Sequence, residues 1–266
     1  MKITIIGAGN MGGAIARALA GFNIHEGYAE GDLVPSDITC TARSAGTLQK
    51  FEDLGFNVTT DNIAAVRDAD VVFFCVKPWF MEEVVRGVAQ AMDLSRQIVI
   101  SVAAGVSFGQ MAEWLGGLPA MFRVIPNTAI EVGSGVTFIS SSGASEQQRE
   151  MVTGMFGKMG YALEVEEDMM AAGTALASCG IAYAMKYIQA SACGGKALGF
   201  ELEQACRIVE YTVKGAAELL LATGNEPQVE IDKVTTPGGM TMKGLSAMEE
   251  AGFSQSVGEG LTACLK

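Results

Sequence analysis

Histidine is almost missing from this chain: 266 residues contain one, His25. A metal site built on several imidazoles is therefore excluded. A Ser–His or Cys–His nucleophile pair would have to recruit that one ring from the loop-like stretch 23–35, where it reads as a surface residue. Cysteine is scattered. The six, at positions 40, 75, 179, 193, 206 and 264, form no C-x-x-C and no ligand-spaced cluster. Cys40 and Cys75 fall inside apolar runs and read as reduced core thiols. Positive charge is short too. Lys and Arg number 18 against 30 Asp and Glu, a net charge of −12, which argues against nucleic acid or an anionic membrane as partner, because both need clustered cations to displace counterions. Only 6 residues are proline, and with 49% hydrophobic and 18% charged residues the composition is that of a compact globular protein of one large or two modest domains.

The first residues, Met1-Lys-Ile-Thr-Ile-Ile, run straight into a strand and leave no place for a signal peptide, so a cytoplasmic protein is expected. Residues 169–185 carry no charge, but Ala, Gly, Ser and Thr make them only weakly apolar and the run falls short of the ~20 residues a membrane span needs. It reads as a buried helix of a soluble protein. Its small side chains suit a close helix–helix contact, within the chain or between two copies.

The first part of the chain alternates short apolar runs with helical patterns, the signature of a parallel sheet built from βαβ units. The spacing predicts strands at 3–6, 38–41, 71–76, 98–102, 121–125, 136–139 and 161–165, with helices at 12–20, 45–54, 80–91 and 108–114 between them. Beyond residue 166 the strand signal stops. Helices are expected at 169–192, 201–222, 239–250 and 254–264, separated by turns at Gly194-Gly195, 224–227 and Gly252. The fold class is thus α/β, a Rossmann-type dinucleotide-binding domain over 1–165 followed by an all-α domain over 166–266.

Directly after the first strand stands Gly7-Ala8-Gly9-Asn10-Met11-Gly12, a G-x-G-x-x-G opening a helix. In that pattern the first Gly makes a tight turn, the second lets backbone approach a pyrophosphate, and the third lets helix pack on strand, with the helix start supplying amides to the phosphates. The second strand ends Thr41-Ala42-Arg43-Ser44, with no acid to grip a ribose diol. An arginine and a hydroxyl there suit a 2′-phosphate, which favours NADPH while leaving NADH possible. Lys77 and 103–105 end two further strands at the carboxyl edge of the sheet, where they would line the nicotinamide half of the groove; Asn127, in a similar turn, would bond a carboxamide or position a substrate. In the helical half, Thr235-Thr236-Pro237-Gly238-Gly239-Met240-Thr241 describes a second anion site, in which bare amides at a helix start hold a carboxylate without a basic side chain.

These segments together resemble the pyrroline-5-carboxylate reductase family over essentially the whole chain. The resemblance rests on residues 6–12, Val76-Lys77-Pro78, 101–105, Arg123-Val-Ile-Pro-Asn-Thr128 and 236–241. It implies NADPH-dependent reduction of 1-pyrroline-5-carboxylate to L-proline, the last step of proline biosynthesis. It also implies a helical domain that interlocks with a second subunit, as a homodimer or larger homo-oligomer, and an active site completed by that partner. Under the resemblance Gly7, Gly9, Asn10, Met11 and Gly12 hold the pyrophosphate, Arg43 and Ser44 the 2′-phosphate, and Asn62 lies near the adenosine. Val76, Lys77, Pro78, Ala103 and Ala104 flank the nicotinamide ribose and ring. Glu167, Thr236, Gly239, Met240 and Thr241 surround the substrate, with Thr241 as the catalytic hydrogen-bonding group. The chain departs from the family pattern at 177–183, where Ala-Ser-Cys-Gly-Ile-Ala-Tyr stands for Ser-Gly-Ser-Gly-Pro-Ala-Tyr, and at Glu226-Pro227, where His-Pro is usual. Two rivals are a 3-hydroxyacid dehydrogenase, which needs an Asn four residues after a helix Lys where this chain has Lys186 and Ala190, and a non-catalytic NADP-binding sensor, which the intact 236–241 segment opposes.

Overall fold

The computed structural model describes residues 1–23, 27–28 and 33–265; His25 lies outside them. The chain divides into two compact units, Met1–Ser178 and Cys179–Lys266.

The first unit runs β1 (Ile3–Ile6), α1 (Asn10–Leu19), β2 (Phe22–Asn23), β3 (Gly27–Tyr28), β4 (Ile38–Thr41), α2 (Ala45–Glu52), β5 (Asn57–Thr59) and α3 (Asn62–Val66). It continues with β6 (Val71–Phe74), α4 (Pro78–Ala89), β7 (Ile98–Ser101), α5 (Phe108–Leu115), β8 (Ala120–Pro126), β9 (Gly135–Ser142), α6 (Glu146–Gly157), β10 (Gly160–Glu164) and α7 (Met170–Gly173). Eight strands form one sheet in the order β10-β9-β8-β7-β6-β1-β4-β5. The alternation of side chains along each strand builds two cores. Val71 and Phe73 join Ile15 and Phe156 on one face, while Val72 and Phe74 join Met81, Val85 and Met111 on the other. Strands covered on both faces are continuous apolar runs for this reason, and each such side chain, fully buried, stabilises by about 1.5–3 kcal/mol.

Order in this sheet reverses at β1, which pairs in parallel with β4 on one side and β6 on the other. Such a reversal leaves a crevice at the carboxyl ends of the central strands. Ile6 is in register with Thr41 and Phe74, and Phe74 with Ser101, so the segments that begin at Gly7, Ala42, Cys75 and Val102 leave the sheet along one edge.

The sheet is parallel as expected except at one place, where β9 is antiparallel to β8. Only residues 127–134 join them, too few for a parallel crossover, which needs a dozen or more. β10 then pairs in parallel with β9. The short edge strand β5 was not legible as apolar alternation, since it is Asn-Val-Thr beside β4.

The helical segment beginning at Glu167 is not continuous. A short tight turn, Glu167–Met169, leads into α7, and Thr174–Cys179 then forms a wide i→i+5 turn. The Thr174 hydroxyl donates to the Met170 carbonyl at 2.7 Å within it. Widened turns of this kind mark insertions into a helix and recur at functional sites.

The second unit holds α8 (Gly180–Ala197), α9 (Leu202–Thr223), α10 (Pro227–Lys233), α11 (Met240–Glu250) and α12 (Phe253–Ala263), with α8 packed along α9. The turn expected at Gly194-Gly195 is instead helix. A Cβ at Gly195 would stand 3.0 Å from that of Ala205, so this glycine serves helix contact, and the chain turns at Gly199 with φ +107°. The burial expected of 169–185 is met in part within one chain: Met170, Gly173 and Ala175 are buried, while Met185 is 56% exposed and α8 buries only Ala192. No helix among the described residues is long and apolar enough to cross a membrane.

Candidate active site

The glycine turn sits at the centre of the crevice. Gly7 has φ +92°, and its amide and that of Ala8 donate to the Thr41 carbonyl at 3.1 and 2.8 Å, tying the turn to β4. A Cβ on Gly7 would lie 2.8 Å from Val76 Cγ1, and one on Gly12 would meet the Gly7 carbonyl and Cys75 Cβ. Gly9 is different. A Cβ there meets nothing within 4 Å, and Gly9 caps α1 in extended conformation without any side-chain bond. The first intrahelical bond closes only at Gly13, to the Gly9 carbonyl at 2.8 Å, so the amides of Asn10, Met11 and Gly12 are not used by the helix. Two glycines are required by crowding from within, and the third opens onto free space beside bare amides, which is what a pyrophosphate needs.

Arg43 and Ser44 follow β4 and are exposed. The Arg43 guanidinium lies 4.9 Å over the Phe80 ring, a stacking partner on α4 that sequence spacing does not reveal. Such a contact holds the fork while leaving its N–H groups free for a phosphate. Asn62 opens α3, which Asp61 caps by accepting from Ile63 N and Ala64 N at 2.9 and 3.0 Å. The Asn62 Oδ1 accepts from the buried Thr41 hydroxyl at 2.6 Å, which directs it to the end of β4. The structure thus brings the glycine turn, Thr41, Arg43 and Asn62 to one end of the crevice.

Val76, Lys77 and Pro78 leave β6, with exposed Lys77 capping α4 and Pro78 starting it. Ala103 is buried and Ala104 exposed in the loop after β7. Cys75 lies beneath the glycine turn; burial pushes its thiol up strongly and that of Cys40 up to about 12, so neither is a nucleophile near neutral pH. Asn127 is committed elsewhere. Its Oδ1 accepts from Ala129 N and Val136 N at 3.2 and 3.3 Å, and its Nδ2 donates to the Ala177 carbonyl at 3.5 Å. Those bonds shape the β8–β9 connection and leave only one Nδ2 hydrogen for any ligand.

Glu167 carries two contacts that its position in the sequence did not indicate. Its Oε1 accepts from Arg123 Nη1 at 2.7 Å and from Phe108 N, in the first turn of α5, at 2.9 Å. The Arg123 side chain is 9% exposed, its Nε has no hydrogen-bond partner, and its guanidinium lies 6.0 Å from the Phe108 ring centre. Arg123 was legible only as part of a family segment. The signal for it in the sequence is a lone charge inside the otherwise apolar run 120–126, which forms β8.

In the second unit, Gly238 has φ +71° and Gly239 N donates to the Thr236 carbonyl at 2.9 Å, folding the chain tightly before α11. A Cβ on Gly239 would collide with the Thr236 hydroxyl. Gly239 caps α11 without a side-chain bond, and the helix closes first at Lys243 N, so the amides of Met240, Thr241 and Met242 are free of it. Met240 is 91% exposed, and Thr236 and Thr241 are exposed beside it. Thr235 does not contribute a hydroxyl, because it donates to the Ile231 carbonyl at 2.7 Å. No cluster of metal-ligating side chains occurs among the described residues.

The comparisons with known proteins bear on both units. The family model for pyrroline-5-carboxylate reductase dimerisation matches residues 167–266, and that for coenzyme F420-dependent NADP oxidoreductases matches 2–105. Pyrroline-5-carboxylate reductase of Arabidopsis thaliana is 35% identical over 100% of this chain and 93% of its own length. Pyrroline-5-carboxylate reductase 1 of Dictyostelium discoideum is 34% identical over 97% of this chain, which spans about half, 48%, of that longer relative. Among solved structures, the Plasmodium falciparum pyrroline carboxylate reductase with NADP bound superposes with a TM-score of 0.88 at 26% identity, covering 100% of this chain and 95% of that one.

Proposed function

Because the chain belongs to the pyrroline-5-carboxylate reductase family, we infer that it reduces 1-pyrroline-5-carboxylate to L-proline with NADPH, closing proline biosynthesis. Family membership gives the reaction. The observation that carries the cofactor half is the Gly7–Gly12 turn, where Gly9 leaves open space beside unused amides at the reversal point of the sheet.

When bound, the reduced nicotinamide supplies a hydride to the imine carbon. The residues of the chain bind, orient and exclude water. In this reading the amides of Asn10, Met11 and Gly12 take the pyrophosphate and Arg43, steadied on Phe80, takes the 2′-phosphate with Ser44. Lys77 serves the cofactor, not proton transfer. NADH would bind without the Arg43 contribution. The amides of Met240 and Thr241 hold the substrate carboxylate, and the Thr241 hydroxyl hydrogen-bonds the ring nitrogen. A ring imine can arrive already protonated, so the chemistry needs no histidine acid and rests on orientation. The same reading keeps 1–165 as cofactor domain and 166–266 as helical dimerisation and substrate domain. The apolar side chains that α8 to α12 leave exposed support a homodimer. Six free cysteines support a cytoplasmic setting.

The test compares steady-state NADPH oxidation with 1-pyrroline-5-carboxylate and NADP+ reduction with simple hydroxyacids, for the protein and for Thr241→Ala. Removing one transition-state hydrogen bond should lower kcat/KM for the imine by about 5- to 150-fold, equivalent to 1–3 kcal/mol. Because Thr241 is exposed, Tm should not move. Unchanged kcat/KM in Thr241→Ala would remove it from the mechanism, and turnover of a hydroxyacid in preference to the imine would overturn the reading.

A further inference from the structure

The rim of the crevice carries an aromatic side chain that neither core uses. Trp79 occupies the first turn of α4, directly after Lys77-Pro78, and is 73% exposed. Trp114 on α5, the other of the two tryptophans in the chain, packs against the core instead. Trp79 does not stand alone. Its indole lies 6.1 Å from the Phe80 ring at 55°, and the Phe80 ring carries the Arg43 guanidinium at 4.9 Å. Guanidinium, phenyl and indole thus form a run from the end of β4 to the start of α4, with exposed Lys77 and Pro78 beside it. Side chains on a helix lean toward its N-terminus, and α4 begins at the carboxyl edge of the sheet, where β6 leads into it. The indole therefore stands at the crevice end of α4.

We propose that Trp79 is a binding residue for the cofactor, its indole taking one face of the adenine ring. The proposal rests on the reading of Arg43 as the 2′-phosphate group and deepens it. In NADPH the 2′-phosphate and the adenine sit on adjacent carbons of one ribose, so a dinucleotide held at Arg43 delivers its base beside the same run of rings. A flat base is matched by a flat apolar face, and tryptophan offers a large one at little cost in side-chain freedom. Phe80 already serves Arg43, whereas Trp79 is left to water. The two contacts divide the work. Arg43 separates NADPH from NADH, while the indole is blind to the 2′-phosphate and holds both. In a chain of net charge −12, stacking adds affinity for an anionic ligand without adding a cation.

The experiment titrates the parent, Trp79→Ala and Trp79→Tyr with 2′,5′-ADP, read by tryptophan emission, and with NADPH and NADH, read by the emission of the bound dihydronicotinamide. 2′,5′-ADP does not absorb where tryptophan emits, so its quenching reports contact with the base. The parent should be quenched, and Trp79→Ala, left with Trp114, should not. In Trp79→Ala the Kd for NADPH and for NADH should rise by the same factor, about 5- to 150-fold, with Tm unmoved because the side chain is exposed. Trp79→Tyr keeps an aromatic face and should bind within about threefold of the parent. Quenching that survives in Trp79→Ala, Kd values there within about twofold of the parent, or weakening confined to NADPH would each overturn the proposal. So would parent emission that shifts with protein concentration and not with nucleotide, the mark of a surface covered by a second copy. A parent that binds none of the three nucleotides would overturn the cofactor reading itself and the proposal with it. The readout is independent of which imine the protein reduces.

Discussion

Replacing Gly9 and Gly12 by alanine, one at a time, separates a nucleotide-binding turn from a merely tight one. At Gly9 the backbone is extended, φ −80°, and an added Cβ meets nothing within 4 Å. The methyl costs the fold no more than a slightly poorer helix cap, about 0.5 kcal/mol, or 1–2 °C in Tm. It does occupy the space through which a pyrophosphate must approach the amides of α1. Losing one charge-assisted amide–phosphate bond costs about 1.5–3 kcal/mol, which raises the NADPH Kd roughly 10- to 150-fold. At Gly12 the methyl meets the Gly7 carbonyl and Cys75 Cβ, atoms anchored to β1 and β6 that cannot swing aside. Overpacking of that kind costs about 1–3 kcal/mol and should lower Tm by roughly 2–10 °C along with affinity. Fluorescence titration with NADPH and thermal melts of the three proteins decide the matter. If Gly9→Ala bound NADPH within twofold of the parent, or melted as low as Gly12→Ala, the turn would not be read by phosphate and the cofactor assignment would fall.

Arg43→Ala should raise the Kd for NADPH by about 10- to 150-fold, the value of one charge-assisted bond, and leave NADH unchanged; equal weakening of both would take Arg43 off the 2′-phosphate. Glu167→Gln keeps an acceptor for the α5 amide but leaves the buried Arg123 charge unpaired. With Glu167 itself 41% exposed, the loss should fall below that of fully buried pairs, at about 2 kcal/mol, or 4–8 °C in Tm. A melt unchanged by that substitution would show that Glu167 does not anchor Arg123, and a change confined to KM would return it to the substrate alone.

Much of this fold was legible because its signals are local. Continuous apolar runs mark strands covered on both faces, and the glycine turn names its own place at residue 7. Elements whose identity depends on distant neighbours were not. Gly194-Gly195 looks like a turn until Ala205 is seen against it. The uncharged run after Asp168 has no periodic break to announce that it widens at Thr174–Cys179. The direction of β9 follows from the length of its connection and not from its composition. At the candidate site, residue types pointed to the carboxyl edge of the sheet, where the structure places those segments, but the partners of their side chains were not legible. Phe80 beneath Arg43 and Arg123 beside Glu167 are set by the crossing of elements far apart in the chain. Asn127 shows the converse, a polar residue at the expected edge whose side chain is largely consumed by backbone.

The helices from α8 onward keep Leu198, Leu221 and Met240 at 85% exposure or more, with Tyr211 at 64%. A unit so furnished has no solvent-proof interior of its own, and the family model over 167–266 is one of dimerisation. Dilution then acts on this protein as a denaturant: its melting temperature is a property of the solution as well as of the chain, climbing with the logarithm of protomer concentration.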